Sequence, residues 1–344
     1  MKIGFICLNF PGHLIVAGLA KHKDTQLVLS IGDQLNPQDI GTVPDNAIIV
    51  NSDRALAIMR RVYEPFKAPI LVTDINSAEL IKHAANSFLA LKISYANAIA
   101  AICEASGADV DQVADGIGAD KRIGRSFLDA GLGYGGSCFP KDVAAFISIS
   151  EQIGEPFTLL KEVQRINTRQ RERFVKRVRN TLWVLKEKRI AVWGLTFKPN
   201  TDDVRNSVAV DLVNDLIREG AYVTAYDPKG NIKIQELKLC PGVHLADATL
   251  EAVEEAEALV LATEWPDFAA IDMEEVLRMM HTPIVFDGRN LFNPTTMRDL
   301  GFQYYSIGRP SAKLIVDELP NRLVSRRDNS ELTAKKLLPF AHKA

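Results

Sequence analysis

The sequence predicts an α/β protein in four segments. These are an α/β head at residues 1–75, a central long-helix region at 76–180, a Rossmann-like parallel sheet at 181–310, and a tail at 311–344. Three observations carry this reading. Residues 76–105 contain no Pro or Gly and repeat apolar residues at helical spacing. Between 189 and 307, short apolar runs alternate with helical patterns, which implies parallel strands covered on both faces. Residues 131–136 place four glycines in six positions, directly before Ser137 and Cys138. Glycines at that density let a backbone approach a ligand closely in conformations that a Cβ forbids.

A chain of 344 residues is long enough for two domains with full cores. A net charge of −2 and a pI near 6.3 leave no electrostatic footprint for nucleic acid or an anionic membrane. The 47% hydrophobic and 24% charged content is that of an ordinary globular chain. No stretch approaches the roughly 18 uninterrupted apolar residues of a membrane span. Residues 1–11 carry Lys2 and an apolar run, yet no small-residue cleavage site follows, so no signal peptide is expected. Cys7, Cys103, Cys138 and Cys240 show no metal-ligand spacing, and no metal is expected. Four free thiols without an export signal point to the cytosol.

In chain order, residues 2–7 read as a strand and 9–12 as a loop. A short helix follows, then strands at 26–30 and 47–50. This head is too short for a complete dinucleotide-binding domain. Its first loop, Leu8-Asn9-Phe10-Pro11-Gly12-His13, lacks the G-x-G-x-x-G pattern that lets a backbone approach a pyrophosphate. Nor does a second strand end in an acidic residue at the distance expected for a ribose. Residues 54–66 form a helical pattern and 69–73 a short buried strand. Asp74 or Asn76 can cap the long helix, with Glu79 as the capping-box partner of Asn76. Lys82 and Asn86 lie four apart on one face. Alone they read as a solvated lysine and a surface asparagine; turned inward, they offer a charge and an amide to a developing anion. His83 points off that face and reads as structural. A homodimer built on this helix is expected.

Residues 107–118 read as a small capped helix. Residues 135–142 are Gly-Gly-Ser-Cys-Phe-Pro-Lys-Asp. A helix starting near Pro140, whose fixed φ suits a first turn, would turn the Asp142 carboxylate toward the same cavity as the Cys138 sulfur. A neighbouring ammonium, Lys141, favours the thiolate. The alternative is a tight turn with a buried, inert thiol. Residues 158–188 are helical and basic. Interrupting acids and the lack of interleaved aromatics favour a solvated linker helix over a nucleic-acid surface. Strands are expected at 189–193, 221–226, 258–262, 283–286 and 302–306, with a helix at 207–218. Ligands in such a sheet sit at the carboxyl ends of the strands. Lys198 and Arg289 there supply cations suited to a pyrophosphate. Asp227 ends the second strand, where a Rossmann protein binds ribose, yet without a glycine fingerprint no dinucleotide is assigned to this half. Charge pairs with Pro320 and Pro339 mark residues 311–344 as an exposed tail.

Two of these stretches resemble signatures of the UDP-glucose/GDP-mannose dehydrogenase family: residues 131–142, and Gly194-Leu195-Thr196-Phe197-Lys198-Pro199-Asn200-Thr201-Asp202-Asp203-Val204-Arg205-Asn206-Ser207. Phe139, where GDP-mannose members usually carry Leu, is similar to the members that act on UDP-glucose. The resemblance covers residues 53–310. It implies oxidation of UDP-glucose at C6 to UDP-glucuronate by two NAD⁺, through a thiohemiacetal and a thioester on Cys138. It further implies that Lys82 and Asn86 donate to the sugar oxygen and that Asp142 polarises water or the lysine. Arg122 would reach across a two-fold interface, Phe127 and Leu128 would cover the substrate, and Gly135 would bind it. Lys198 and Arg289 would meet the UDP moiety, and Arg205 would face the dinucleotide. Residues 1–51 are instead similar to pieces of a nucleotide-sugar glycosyltransferase, with His13 a base, a relic or merely structural. Most of the family's NAD domain, with its threonine and glutamate acid/base groups, has no match here. The implied function is therefore UDP-glucose oxidation or, alternatively, a UDP-sugar-binding dimer that lacks the coenzyme site and oxidises nothing.

Overall fold

The computed structural model describes residues 3–6, 15–19, 47–49, 56–57, 60 and 70–309. The chain divides into two compact units. The first draws its described residues from Met1–Tyr95 and Tyr134–Asn167, the second from Ala96–Gly133 and Thr168–Ala344.

The first unit contains strands β1 (Ile3–Ile6), β2 (Ile15–Leu19), β3 (Ala47–Ile49) and β4 (Ile70–Val72), in the order β1-β2-β3-β4. The first pair is antiparallel, with Ile3 opposite Leu19, and the other pairs are parallel. The short helix expected after the first loop is corrected by β2. Its run Ile-Val-Ala-Gly-Leu is too short to nucleate a helix, and its adjacent β-branched residues suit a strand that a neighbour can pair. The loop at 9–12, the strand at 26–30 and His13 lie outside the described residues. Of the helical pattern at 54–66, residues 56, 57 and 60 are described, and all three are helical.

Helix α1 (Ile75–Ser106) runs for 32 residues, as its uninterrupted periodicity requires. Asp74 caps it, accepting from Ser77 N at 2.9 Å and Ser77 Oγ at 2.7 Å, and these bonds hold its carboxyl below the usual range. Its buried face carries Ala78, Lys82, Asn86, Ala90, Ser94, Asn97, Ala100 and Cys103, at spacings of three and four. By length and composition Asn76–Ser106 is apolar enough to cross a membrane, although Lys82, His83, Asn86 and Lys92 leave no uninterrupted apolar run.

Three helices follow: α2 (Val110–Gly118), α3 (Phe139–Gln152) and α4 (Thr158–Leu182). Ala90, Tyr134, Val143, Ile147, Leu160 and Val163 form the core of the first unit. Helix α4 corrects the expectation of a solvated helix reaching residue 188. It stops at Leu182, and Trp183 next to it takes a φ of 68°. Its apolar stripe is buried through Val163, Phe174, Val175 and Val178. Its arginines meet acids: Arg173 and Arg177 meet Glu104, Arg171 meets Asp215 and Arg179 meets Glu219.

The second unit holds a six-stranded parallel sheet built from β5 (Arg189–Trp193), β6 (Tyr222–Tyr226), β7 (His244–Leu245), β8 (Ala258–Leu261), β9 (Ile284–Asp287) and β10 (Gln303–Ser306). The order β10-β9-β8-β5-β6-β7 is doubly wound, and it reverses between β5 and β8, where such sheets bind ligands. Five of the strands follow the sequence expectation; two-residue β7 is too short to leave a periodic signal. Helix α5 (Val208–Arg218) follows β5. Alternate residues of β5 enter different cores, Ile190 and Val192 on one face, Ala191 and Trp193 on the other, as a sheet covered on both sides demands.

Candidate active site

The glycine loop is shaped by Gly133 and Gly136, at φ 120° and 85°, a region that side chains disfavour. Asn167 pins it from α4: its side-chain amide accepts from Tyr134 N at 2.8 Å and donates to Tyr134 O at 3.0 Å. The Tyr134 ring meets Phe139 edge-on, and burial pushes its hydroxyl up to about 12. Cys138 then stands at the N-cap of α3 with Pro140 in the first turn. Asp142 N donates to Cys138 O at 2.8 Å, so the carboxylate begins one turn along the helix from the sulfur. Ser137 Oγ lies 3.7 Å from Cys138 Sγ. Cys103 and Cys240 are buried and their thiols are pushed up by that burial, Cys240 to about 11. Cys138 is half-buried, and among the described thiols it is the one open to reagents.

Asp142 gathers the groups that α1 supplies. Asn86 Nδ2 donates to Asp142 Oδ2 at 2.6 Å, and Lys82 Nζ lies 3.3 Å from Oδ1. Lys141, largely exposed, stands 3.8 Å from the same Oδ1. Lys82, Asn86 and Asp142 are 5%, 4% and 1% exposed, which removes the reading of a solvated lysine and a surface asparagine. Burying an ammonium is costly unless a carboxylate accompanies it. Lysine carries three donors, and Asp142 leaves donor capacity for an oxyanion. His83 lies off this group with its ring centroid 5.9 Å from that of Phe146, in keeping with a structural role.

The cations of the second unit sit beyond its strand ends. Arg289 follows β9; its Nε donates to Ala262 O at 2.9 Å and lies 3.1 Å from Glu264 Oε2. Its Nη1 would stand 3.2 Å from a Cβ at Gly131, so a side chain there would crowd the guanidinium. Asp287, fully buried, holds this turn by accepting from Arg289 N, Phe292 N and the Tyr304 hydroxyl. Burial pushes the Asp287 carboxyl and the Tyr304 hydroxyl upward. Lys198 Nζ lies 5.7 Å from the centroid of its neighbour Phe197. Arg205 folds back onto Asp203 through two bonds of 2.9 and 2.8 Å, which lower the Asp203 carboxyl. Arg122 likewise grips Asp120 while its side chain remains 89% exposed. Phe127 is exposed with a φ of 65°, whereas Leu128 is buried, so this expected covering pair divides between surface and core.

Lys82, Asn86, Asp142 and the Cys138 turn thus come together in the first unit, with Gly135 in the loop leading to them. Sequence reasoning missed Asn167 and Glu264. The available signals were a polar residue at an inward helix position and an acid three residues beyond the end of a strand.

A dinucleotide needs a glycine turn whose amides are open to its pyrophosphate. At the end of β5, Gly194 makes such a turn at φ 95°. Leu195 N and Thr196 N, however, both donate to Asp227 Oδ2, at 2.7 and 3.0 Å, and Thr263 fills the space beside Gly194. NAD does not fit here, and the loop at 8–13 lies outside the described residues.

Residues 76–169 match the UDP-glucose/GDP-mannose dehydrogenase family, central domain, and residues 191–294 match its UDP binding domain. The UDP-glucose 6-dehydrogenase TuaD of Bacillus subtilis (strain 168) is 44% identical over 264 residues, 76% of this chain and 57% of that protein. The UDP-glucose 6-dehydrogenase of Pseudomonas aeruginosa is 43% identical over 282 residues, 78% of this chain and 61% of that protein. A UDP-glucose dehydrogenase structure from Pyrobaculum islandicum aligns with a TM-score of 0.70 at 35% identity, covering 78% of this chain and 59% of the other. The chain spans less than two thirds of the length of these relatives. Matched through both its halves, the chain belongs to the UDP-glucose/GDP-mannose dehydrogenase family, of which it carries the central and UDP-binding domains.

Proposed function

We propose that this chain binds UDP-glucose and supplies the covalent and oxyanion-stabilising groups of the UDP-glucose 6-dehydrogenase reaction. The observation that carries the reading is the buried Lys82–Asp142–Asn86 group, whose carboxylate starts one helical turn from Cys138. When the C6 aldehyde is present, the Cys138 sulfur forms a bond to its carbon and the carbonyl π pair moves onto oxygen. The Lys82 ammonium and the Asn86 amide hold that oxyanion, and protonation gives a thiohemiacetal. At the thioester stage water adds to C6, the carbon–sulfur pair returns to sulfur, and Asp142 orients the water or Lys82. The two oxidations of the full reaction would need NAD⁺ as hydride acceptor, and the described residues form no cradle for it.

The nucleotide belongs to the second unit. Lys198 and Arg289 meet the pyrophosphate, the exposed Phe127 covers the sugar, and Arg205 faces the dinucleotide of a complete site. The family matches over residues 76–169 and 191–294 and the names of the relatives support this assignment. A homodimer is supported by the exposed apolar stripe along α1, formed by Leu80, Phe88, Tyr95 and Ile102 at intervals of seven and eight residues. Arg122, exposed as it is, then reaches the partner's sugar.

The closed turn at Gly194 favours a second reading, in which the chain alone binds UDP-sugar and reduces little or no NAD⁺. An assay of NADH formation with UDP-glucose separates the two. Turnover that disappears in Cys138→Ser supports the full dehydrogenase. Binding of UDP-glucose without NADH supports the second reading, and failure to bind UDP-glucose overturns both.

A further inference from the structure

In a doubly wound sheet, a phosphate meets the amides of the turn after the first strand, at the point where strand order reverses. In this chain that turn is Gly194-Leu195-Thr196, between β5 and β8. The positive φ of Gly194 aims the next two amides inward, and both end on Asp227 Oδ2. Thr196 Oγ1 and Trp265 Nε1 reach the same oxygen at 3.0 and 3.1 Å. The other oxygen, Oδ1, accepts from Lys229 N at 2.9 Å and Gly230 N at 2.7 Å. Six donors, from the loops after β5, β6 and β8, therefore converge on one carboxylate that is 2% exposed. Gly230 allows the close approach, since a Cβ there would lie 3.0 Å from Asp227 Cγ. Converging backbone amides of this kind are the donor set of an anion nest.

We propose that Asp227 is an internal anion that fills the phosphate cradle of the second unit's sheet and so closes that sheet to the pyrophosphate of a dinucleotide. An acidic residue at the end of the second strand commonly reads as a ribose ligand. Here its acceptor capacity is spent on the chain's own donors. The Rossmann-like order of this sheet is thus separated from dinucleotide binding by one residue. The inference holds whether or not the chain oxidises a sugar.

The test uses the full chain with Asp227→Ala, which vacates the cradle, and Asp227→Asn, which refills it with a neutral amide. Thermal unfolding is followed as chloride is replaced by formate at constant ionic strength and pH. Asp227→Ala is expected to melt lower than wild type in chloride and to recover most of that loss, saturably, in formate. Wild type and Asp227→Asn are expected not to respond. A formate response in Asp227→Ala no larger than that of wild type overturns the proposal. Amide hydrogen exchange of the wild-type chain keeps the test decisive if Asp227→Ala does not fold. Exchange at Leu195, Thr196, Lys229 and Gly230 is expected to be unchanged by millimolar inorganic phosphate or NAD⁺. Slowing by either shows the amides open to an outside anion and overturns the proposal.

Discussion

Asn86 Nδ2 stands 2.6 Å from Asp142 Oδ2, joining residues 56 positions apart inside the first unit. The other oxygen of that carboxylate holds the Lys82 ammonium at 3.3 Å, so a single acid positions both donors of α1. Asp142→Ala leaves that ammonium buried without its partner and is expected to cost about 3–5 kcal/mol. The measurement is a lower urea midpoint at an unchanged slope. The double variant Lys82→Met/Asp142→Leu is expected to cost less than the sum of its single variants by about 1–3 kcal/mol. Strictly additive costs would mean that the two side chains do not interact.

Lys198 and Arg289 are expected to carry the charge recognition of the UDP moiety. Lys198→Ala and Arg289→Ala should each weaken UDP-glucose binding by about tenfold or more, the scale of one charge-assisted hydrogen bond. Arg289→Lys should recover only part of the loss, because an ammonium cannot reproduce a planar fork. Calorimetric titration of UDP-glucose into each variant checks this, and full affinity in Arg289→Ala would remove that residue from the site.

Asp287 gives the Arg289 turn a defined pH dependence. Burial raises its carboxyl above the ordinary 3.8. A carboxyl raised in the fold contributes stability that is complete below its unfolded value and is lost as the pH climbs through the folded one. The stability advantage of wild type over Asp287→Asn is therefore expected to shrink as the pH is raised from the acid side toward neutrality. Urea unfolding across that range reads it. An advantage that grows with pH would mean that the fold favours the charged carboxylate.

The apolar stripe on α1 predicts how the chain assembles. Phe88 is 60% exposed and Ile102 62% exposed, and both lie on the face that a second copy would cover. Phe88→Glu and Ile102→Glu should convert a dimer to a monomer, as measured by sedimentation at micromolar concentration. A wild-type monomer under those conditions would contradict the dimer and, with it, a role for Arg122 across an interface.

Much of this arrangement was legible in the residues. The uninterrupted run of α1 revealed its length, and the spacing of Lys82 and Asn86 placed them on one face. The Gly-Gly-Ser-Cys-Phe-Pro-Lys-Asp run located the thiol, and Pro140 marked the start of α3. What stayed hidden depends on tertiary contact. Asp142 becomes the acceptor for two α1 side chains only when α3 packs against α1. Asp227 draws four of its six donors from loops more than thirty residues away, so its own loop shows only part of the cradle it fills. Leu128 is buried although its neighbour Phe127 is exposed, and no local pattern divides them. The end of α4 at Leu182 lacked the usual signal, since Trp183 takes a positive φ where Gly is the common choice.

The central claim is that the chain holds a sulfur nucleophile and a nucleotide-sugar sheet, and that this same sheet is closed to the coenzyme. Isothermal calorimetry with UDP-glucose and NAD⁺ added separately tests it most directly. Saturable heat from UDP-glucose and none from NAD⁺ is the predicted result. Saturable NAD⁺ binding to the chain alone, or no binding of UDP-glucose, would contradict it.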